Sequence, residues 1–163
     1  MIKSKVSTRV RSETIDVKQF LTNLKGAKES FVTIGLHEDA GQYTGAKNNP
    51  SVVEVGLWNE FGTEKSPERS FIRSTIDENQ SLINNWRDEA INNMIIKGWT
   101  LGKALEMMGF RIQVLIQNKI KSNMPPPLAK STAEAKISHG LAPVTLIDTG
   151  LMLRSVTYKV ELR

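Results

Sequence analysis

Two long amphipathic stretches, separated by only three residues, constrain the fold of this chain more than any other feature. The first begins near Thr75, at a threonine–glutamate spacing typical of a helix cap, and Gly98 predicts its end after Lys97. The second starts at Leu101, and its apolar residues step alternately by four and by three. Because the link between them is so short, we predict an antiparallel helical hairpin over about 75–123. The apolar residues of the two stretches are Ile76, Ile83, Trp86, Ala90, Ile91, Met94 and Ile95 in the first, and Leu105, Met108, Ile112 and Leu115 in the second.

Three further segments alternate apolar and polar residues, which is typical of strands. They run from Phe31 to His37, from Val156 to Leu162 and, more weakly, from Val6 to Val10, which is either a strand or an extended arm. Together with the hairpin they predict the α+β class, with a small antiparallel sheet packed against short helices and a long helical hairpin. We expect one domain over residues 1–163.

Shorter helices are predicted on both sides of the hairpin. Apolar residues recur at helical spacing from Val17 to Lys25 and from Val52 to Phe61. The second of these opens with a capping-box spacing at Ser51 and Glu54. A third short helix, from Ser131 to Lys136, begins with the same pairing of serine and glutamate.

Two connections are predicted to lack regular structure. The segment of about 38–50 is rich in glycine and asparagine and ends in proline, so we expect a flexible surface loop that assembly contacts would order. The segment from Pro67 to Ser74 is predicted to be extended, because proline disfavours helix at the residue before it.

The residues that carry chemistry in enzymes are sparse in this chain. There is no cysteine, the two histidines are His37 and His139, and no phosphate-binding loop or nucleophile elbow occurs. We therefore predict no enzymatic activity, no catalytic residue, no cofactor and no bound metal. No apolar run approaches the roughly 20 residues that span a bilayer, and no secretory signal is expected.

The net charge of +5 leaves one alternative function open. A basic chain attracts nucleic acid, and the densest basic stretches run from Lys3 to Arg11 and from Lys119 to Lys121. Neither stretch has the interleaved aromatic residues of a single-strand binder, and net charge also serves solubility. Nucleic-acid binding through this arm or through the hairpin is therefore the second hypothesis.

The central segment is the most distinctive part of the chain. Asn59-Glu60-Phe61-Gly62-Thr63 is followed closely by Pro67-Glu68-Arg69-Ser70-Phe71-Ile72-Arg73. We expect the apolar side chains of Phe61, Phe71 and Ile72 to be buried. The two arginines have two possible roles, because arginine suits both. They either pair with acids of the same subunit (Glu60, Glu68 or Asp77) or contact a neighbouring subunit.

This central segment, extended to Trp58, resembles the signature of the tail-completion and virion-morphogenesis families of long-tailed phages. A C-terminal series is similar to those families in the same order: Pro126-Pro127-Leu128, then Ser131-Thr132, then Leu146-Ile147-Asp148-Thr149-Gly150-Leu151 and a last strand. The resemblance covers about 32–160.

The resemblance implies a structural virion protein, made in the host cytoplasm, that forms a ring at the head–tail junction. Its expected partners are further copies of itself, in a ring that the resemblance implies is hexameric, together with connector or adaptor proteins and the tail terminator or tail tube. Genomic DNA would pass through the lumen without specific binding, and no membrane is involved. The expected interface residues are Arg69, Arg73, Glu60 and Glu68. The expected motif residues are Asn59, Phe61, Gly62, Pro67, Phe71, Leu146, Asp148, Thr149 and Gly150.

Overall fold

The computed structural model describes residues 17–24, 27–45 and 48–163. The predicted strand or arm from Val6 to Val10 lies outside these residues. In chain order the elements are α1 (Val17–Asn23), β1 (Phe31–Leu36), a 3-10 turn (Glu38–Ala40), α2 (Val52–Phe61), α3 (Arg73–Glu78), α4 (Gln80–Lys97), α5 (Leu101–Lys121), α6 (Lys130–Ser138), α7 (Leu151–Ser155) and β2 (Val156–Glu161). The predicted α+β class is confirmed.

The two described strands pair in antiparallel fashion, so that Phe31 lies opposite Glu161 and Leu36 opposite Val156. Helix α5 packs across both strands. A β-carbon built at Gly109 of α5 would lie 2.6 Å from Cδ2 of Tyr158 and 2.9 Å from Cγ2 of Val32. The glycine therefore allows the helix backbone to approach the sheet.

The predicted helical hairpin is present, with α4 and α5 packed together. Gly98 ends α4 in a left-handed conformation with φ of 65°, and the hydroxyl of Thr100 accepts a hydrogen bond from the Lys103 amide at the start of α5. An ion pair of 2.5 Å between Arg111 and Glu89 joins the two helices. The local signals at the link therefore gave the correct hairpin.

The start of the hairpin differs from the prediction. Helix begins at Arg73, inside the segment predicted to be extended, and is interrupted at Asn79, which has φ of −114°. Thr75 is not a cap: it lies buried inside α3, and its hydroxyl donates a hydrogen bond of 2.6 Å to the Phe71 carbonyl. The predicted single helix is thus two helices, α3 and α4.

The apolar seam predicted along α5 is only partly buried. Ile112 is buried, but Leu105, Met108 and Leu115 are half-buried. Leu105 and Met108 line a gap against α4, whereas the fully buried Ile116 and Ile120 join the main core beneath α5. The physical reason is that α5 packs both on the sheet and on α4, so its apolar surface is wider than one heptad seam.

The shorter helices agree well with the prediction. The capping box of α2 is present: the Ser51 amide donates to Oε2 of Glu54 (2.8 Å), and the Glu54 amide donates to Oγ of Ser51 (3.1 Å). Helix α6 begins at Lys130 without a side-chain cap, so the predicted Ser131 cap is wrong. Helix α7 was not predicted at all.

The segment of about 38–50 is tied at both ends. The Tyr43 amide donates to the Pro50 carbonyl (2.9 Å), and the Val52 amide donates to the Gly41 carbonyl (3.0 Å). Tyr43 packs half-buried against the core, and this burial raises the pKa of its phenol. Flexibility between these points stays a prediction, which amide exchange on the isolated protein would test.

Candidate subunit interface

Glu60, predicted at an interface, is instead an internal anchor. It lies near the C-terminus of α2 with only 6% of its surface exposed. Its carboxylate accepts hydrogen bonds from Oγ of Ser70 (2.6 Å) and from the amides of Ile72 and Arg73 (both 2.9 Å). A carboxylate that is fully engaged in this way holds the start of α3 against α2, so Glu60 is corrected from a surface contact to a structural residue.

Arg69 is also internal, with 6% of its surface exposed. Its Nε donates to the Pro126 carbonyl (2.9 Å), and its Nη2 donates to the Pro127 carbonyl (3.2 Å). Burial lowers the pKa of the guanidinium. Pairing with an acid is not what the structure has, because the partners of Arg69 are main-chain carbonyls, and its burial removes the side chain from the surface that a neighbouring subunit could contact.

Arg73 and Glu68 remain on the surface. The two side chains form an ion pair and each is about half exposed. The guanidinium of Arg73 also lies 5.8 Å from the centre of the Phe61 ring. Phe61 is 62% exposed, so the prediction that it is buried is wrong, whereas Phe71 is fully buried as predicted.

Gly62 produces the turn that leads into this surface. Its φ is 74°, and a β-carbon there would lie 2.9 Å from the Glu68 amide nitrogen. Beyond it the Thr63 amide donates to the Ser66 carbonyl (2.8 Å), and the exposed Pro67 follows. Asn59 completes the connection, because its carbonyl accepts from the Arg69 amide (2.7 Å). Gly62 and Asn59 thus position the segment that carries Arg73.

The residues of the C-terminal motif form a separate turn. Leu146 and Gly150 both adopt positive φ, of 60° and 74°. The carbonyl of Thr149 accepts from Nη1 of Arg154 (3.1 Å), and the exposed Asp148 lies 3.8 Å from the ammonium of Lys136. These contacts stabilise the turn itself, and none of them involves the surface around Arg73.

Sequence reasoning missed three residues that hold this C-terminal part. Lys136 donates to the carbonyls of Val144 (3.0 Å) and Ile147. Thr145, which is fully buried, donates through its hydroxyl to the Met124 carbonyl (3.0 Å). Its amide donates to the side chain of Asn123 (2.9 Å). No periodicity marks such residues, since their partners are main-chain carbonyls and amides some distance away along the chain.

An apolar groove opens beside α2, with a volume of about 360 Å³. We call it the α2 groove; it is lined by Leu36, Val53, Gly56, Leu57, Glu60, Phe61, Phe71, Ile72 and Arg73. Leu57, at 51% exposure, and Phe61 present apolar surface to solvent at its edge. Exposed apolar surface rimmed by polar residues is typical of an interaction site.

In the part of the chain that the structure describes, no set of three histidine, cysteine, aspartate or glutamate residues is placed to hold a metal ion. His37 bonds Thr33 (2.9 Å) and Thr157 (3.1 Å) across the two strands, while His139 bonds the Ala135 carbonyl (2.8 Å). Over the same described ranges, no helix is both long and apolar enough to cross a membrane.

The chain was compared with protein-family models, with curated proteins and with solved structures, and none of the three comparisons finds a match. Evidence about function therefore comes from the contacts described above and from the resemblance of the two sequence motifs.

Proposed function

We propose that this protein is a structural subunit of a ring at the head–tail junction of a long-tailed phage. The observation that best supports the proposal is the pair of hydrogen bonds from Arg69 to the carbonyls of Pro126 and Pro127. These bonds join the two sequence motifs on which the resemblance depends. The two motifs therefore belong to one structural unit, which a shared family signature would require.

The surface around the α2 groove gives the proposal a second support. Phe61 and Leu57 are exposed apolar side chains, and the ion pair of Arg73 with Glu68 lies at the groove's edge. Aromatic residues and arginine are enriched where proteins meet. In a ring, the same contact repeats at every subunit boundary, so a modest contact suffices for assembly.

The proposed partners are further copies of this chain, connector or adaptor proteins, and the tail terminator or tail tube. The proposed location is the neck of the virion, with DNA passing through the lumen. The protein would do no chemistry there, and the proposal requires no cofactor.

The experiment that tests the proposal is complementation of a phage that lacks the gene. Arg73→Ala should leave the melting temperature almost unchanged, because an exposed ion pair contributes only about 0–1 kcal/mol, yet it should lower the titre. Electron micrographs should then contain filled heads that are not joined to tails. Arg69→Ala is the matched comparison, since it should lower stability as well. If the phage that lacks the gene keeps a normal titre and joins its heads to tails without complementation, the proposed function is wrong.

The alternative, nucleic-acid binding, is tested with the purified protein and with the same deletion phage. A DNA-binding protein should bind a short duplex at low salt and lose affinity steeply as the salt concentration rises. We expect little binding at either salt concentration. Tight, salt-dependent binding together with normal head–tail joining in the deletion would favour the alternative.

A further inference from the structure

The segment of residues 125–144 lies on the surface of the subunit. It contains α6 and the turn that follows it, and none of its side chains is buried. Burial of apolar surface is the dominant favourable contribution to folding, and this segment has little of it. Its polar contacts with the rest of the subunit therefore decide where it is fixed and where it is free to move.

The two ends of the segment are bonded to each other. Oδ1 of Asn123 accepts a hydrogen bond from the Thr145 amide (2.9 Å). The hydroxyl of Thr145, which is fully buried, donates to the carbonyl of Met124 (3.0 Å), and Met124 belongs to the main core. We call these three residues the base. None of them belongs to the segment, so the segment can move while the bonds of the base stay intact.

Arg69 fixes the beginning of the segment. It donates to the carbonyls of Pro126 and Pro127, and its own side chain is buried. The part that is free to move therefore begins after Pro127 and extends over residues 128–144, which include all of α6.

Lys136 holds α6 to the turn that follows the base. Its ammonium donates to the carbonyls of Val144 (3.0 Å) and Ile147 and lies 3.8 Å from Oδ1 of Asp148. The Lys136 side chain is only 13% exposed. Lys130, at the start of the same helix, is 92% exposed and approaches only Glu134 of its own helix, at 4.0 Å. The two lysines of α6 thus differ sharply in what they hold.

Two open spaces lie on either side of Lys136. One, of about 270 Å³, separates Lys136 from Tyr43, Val55 and Met152. The other, of about 470 Å³, lies between α6 and Asp148. Lys136 and Asp148 line both spaces. If Lys136 moved away from Asp148, the two spaces would join into one cleft with partly apolar walls.

Helix α6 is too short to persist once it is released. It has nine residues, whereas isolated helices of fewer than about 12–15 residues are marginal in water. Loss of the Lys136 contacts should therefore also unravel the helix. Amide exchange within α6 then reports the opening directly.

We infer that residues 128–144 form a lid that opens on the fixed base, and that Lys136 is the contact that holds the lid closed. Opening exposes the cleft beneath α6 while the hairpin and the sheet stay folded. The inference concerns the subunit alone and is independent of the proposed phage function.

The test is amide exchange on the full chain, measured residue by residue by NMR. In the wild type, the amides of α6 should exchange faster than the Thr145 amide of the base. Lys136→Met keeps the length of the side chain and removes its charge. It should quicken exchange in α6, for example at His139, by about ten- to a hundredfold, the effect of losing hydrogen bonds from a charged donor. The Thr145 amide should exchange as it does in the wild type.

Two further variants serve as controls. Lys130→Met removes the exposed lysine of α6 and should leave exchange within about twofold of the wild type. Asn123→Gly removes the acceptor of the Thr145 amide, and glycine suits the φ of 54° at this position. Exchange at Thr145 should then quicken about two- to tenfold, which shows that this amide reports the state of the base.

Three results would overturn the inference. If α6 in Lys136→Met exchanges as slowly as in the wild type, Lys136 does not hold the lid. If the Thr145 amide quickens as much as α6 does, or the variant loses its whole fold, the segment does not open on a fixed base. Equal exchange of α6 and Thr145 in the wild type would overturn it without any variant.

Discussion

The helical hairpin and the segment of residues 125–144 are held in place by different forces. In the hairpin and sheet, side chains such as Ile112, Ile116 and Val156 form a continuous buried core with Phe71. The segment of residues 125–144, which contains α6, has no buried side chain. Hydrogen bonds to main-chain groups hold the segment and its two ends, and they come from Arg69, Lys136, Thr145 and Asn123.

This difference predicts which part of the subunit opens without unfolding of the whole. Apolar packing couples neighbouring elements, so the hairpin and sheet should unfold only as a unit. Each hydrogen bond contributes only about 0.5–1.5 kcal/mol net, or up to about 3 kcal/mol when one group is charged. A segment held by a few of them should open locally, well below the free energy of global unfolding.

The largest expected effect is in the core of the hairpin. Ile112→Ala should lower the free energy of unfolding by about 2–5 kcal/mol, because it removes buried methyl groups and leaves a cavity. Phe110→Ala, on the exposed side of the same helix, should cost far less. Urea denaturation of both variants measures the difference. If both variants lost the same free energy of unfolding, α5 would not pack as described, and the hairpin would not be the region held by apolar packing.

Substitution at the contact between α5 and the sheet should have the next largest effect on stability. Gly109→Ala should cost about 1–3 kcal/mol, because the new methyl group meets the Tyr158 ring and Val32. Gly102→Ala in the same helix is the control. Its methyl group would meet mainly the tip of Leu162, at 3.1 Å, and that side chain is exposed and free to move. The control should therefore be neutral or gain up to about 1 kcal/mol of helix propensity; a cost as large as that of Gly109→Ala would contradict the tight approach.

Arg69→Ala tests the hydrogen bonds that hold the C-terminal segment. Losing the two bonds to the proline carbonyls should cost about 1–3 kcal/mol, with the effect concentrated in residues 123–128. Hydrogen exchange should quicken at the amides on either side of the three prolines, those of Met124 and Leu128, and in the turn around Thr145, while α5 keeps its protection. Arg73→Ala is the control, since its ion pair is exposed. Faster exchange spread evenly over the whole molecule would mean that the two regions unfold together.

The smallest effect concerns pH. Hydrogen bonding to Arg111 holds the pKa of Glu89 below its usual value in the folded protein. A carboxyl group whose pKa is lowered on folding stabilises the fold above its unfolded pKa of about 4.3, and this contribution is lost as pH falls through the folded pKa. Glu89→Gln should therefore flatten the decline in stability below that pH, whereas Glu106→Gln, at an exposed position on α5, is the control. If the stability of both variants declined identically as pH falls, the ion pair of Glu89 with Arg111 would not contribute to the stability of the fold.

The sequence predicted what is encoded locally. The capping box at Ser51 and the helix stop at Gly98 act within a few residues, and the structure confirms both. The break at Asn79 carries no local signal as strong as a proline or glycine. Ile116 lies off the predicted seam because α5 packs on two partners at once, which one chain periodicity does not encode.

The candidate interface was predicted less well, for a related reason. Glu60 and Arg69 have the residue types of surface contacts, but their burial depends on hydrogen-bond partners that only the fold brings near. Phe61 was expected in the core because of its residue type, yet it is the last residue of α2 and lies at an exposed edge. Only Arg73 and Glu68 keep the surface position expected of an interface.

The most direct test of the proposed ring is a three-dimensional map of the neck of an intact virion from the complemented phage. We predict a ring at the head–tail junction whose repeating unit contains a helical hairpin about 30 Å long beside a two-stranded sheet. A neck in which no density matches this hairpin, in particles that join heads to tails normally, would contradict the proposal.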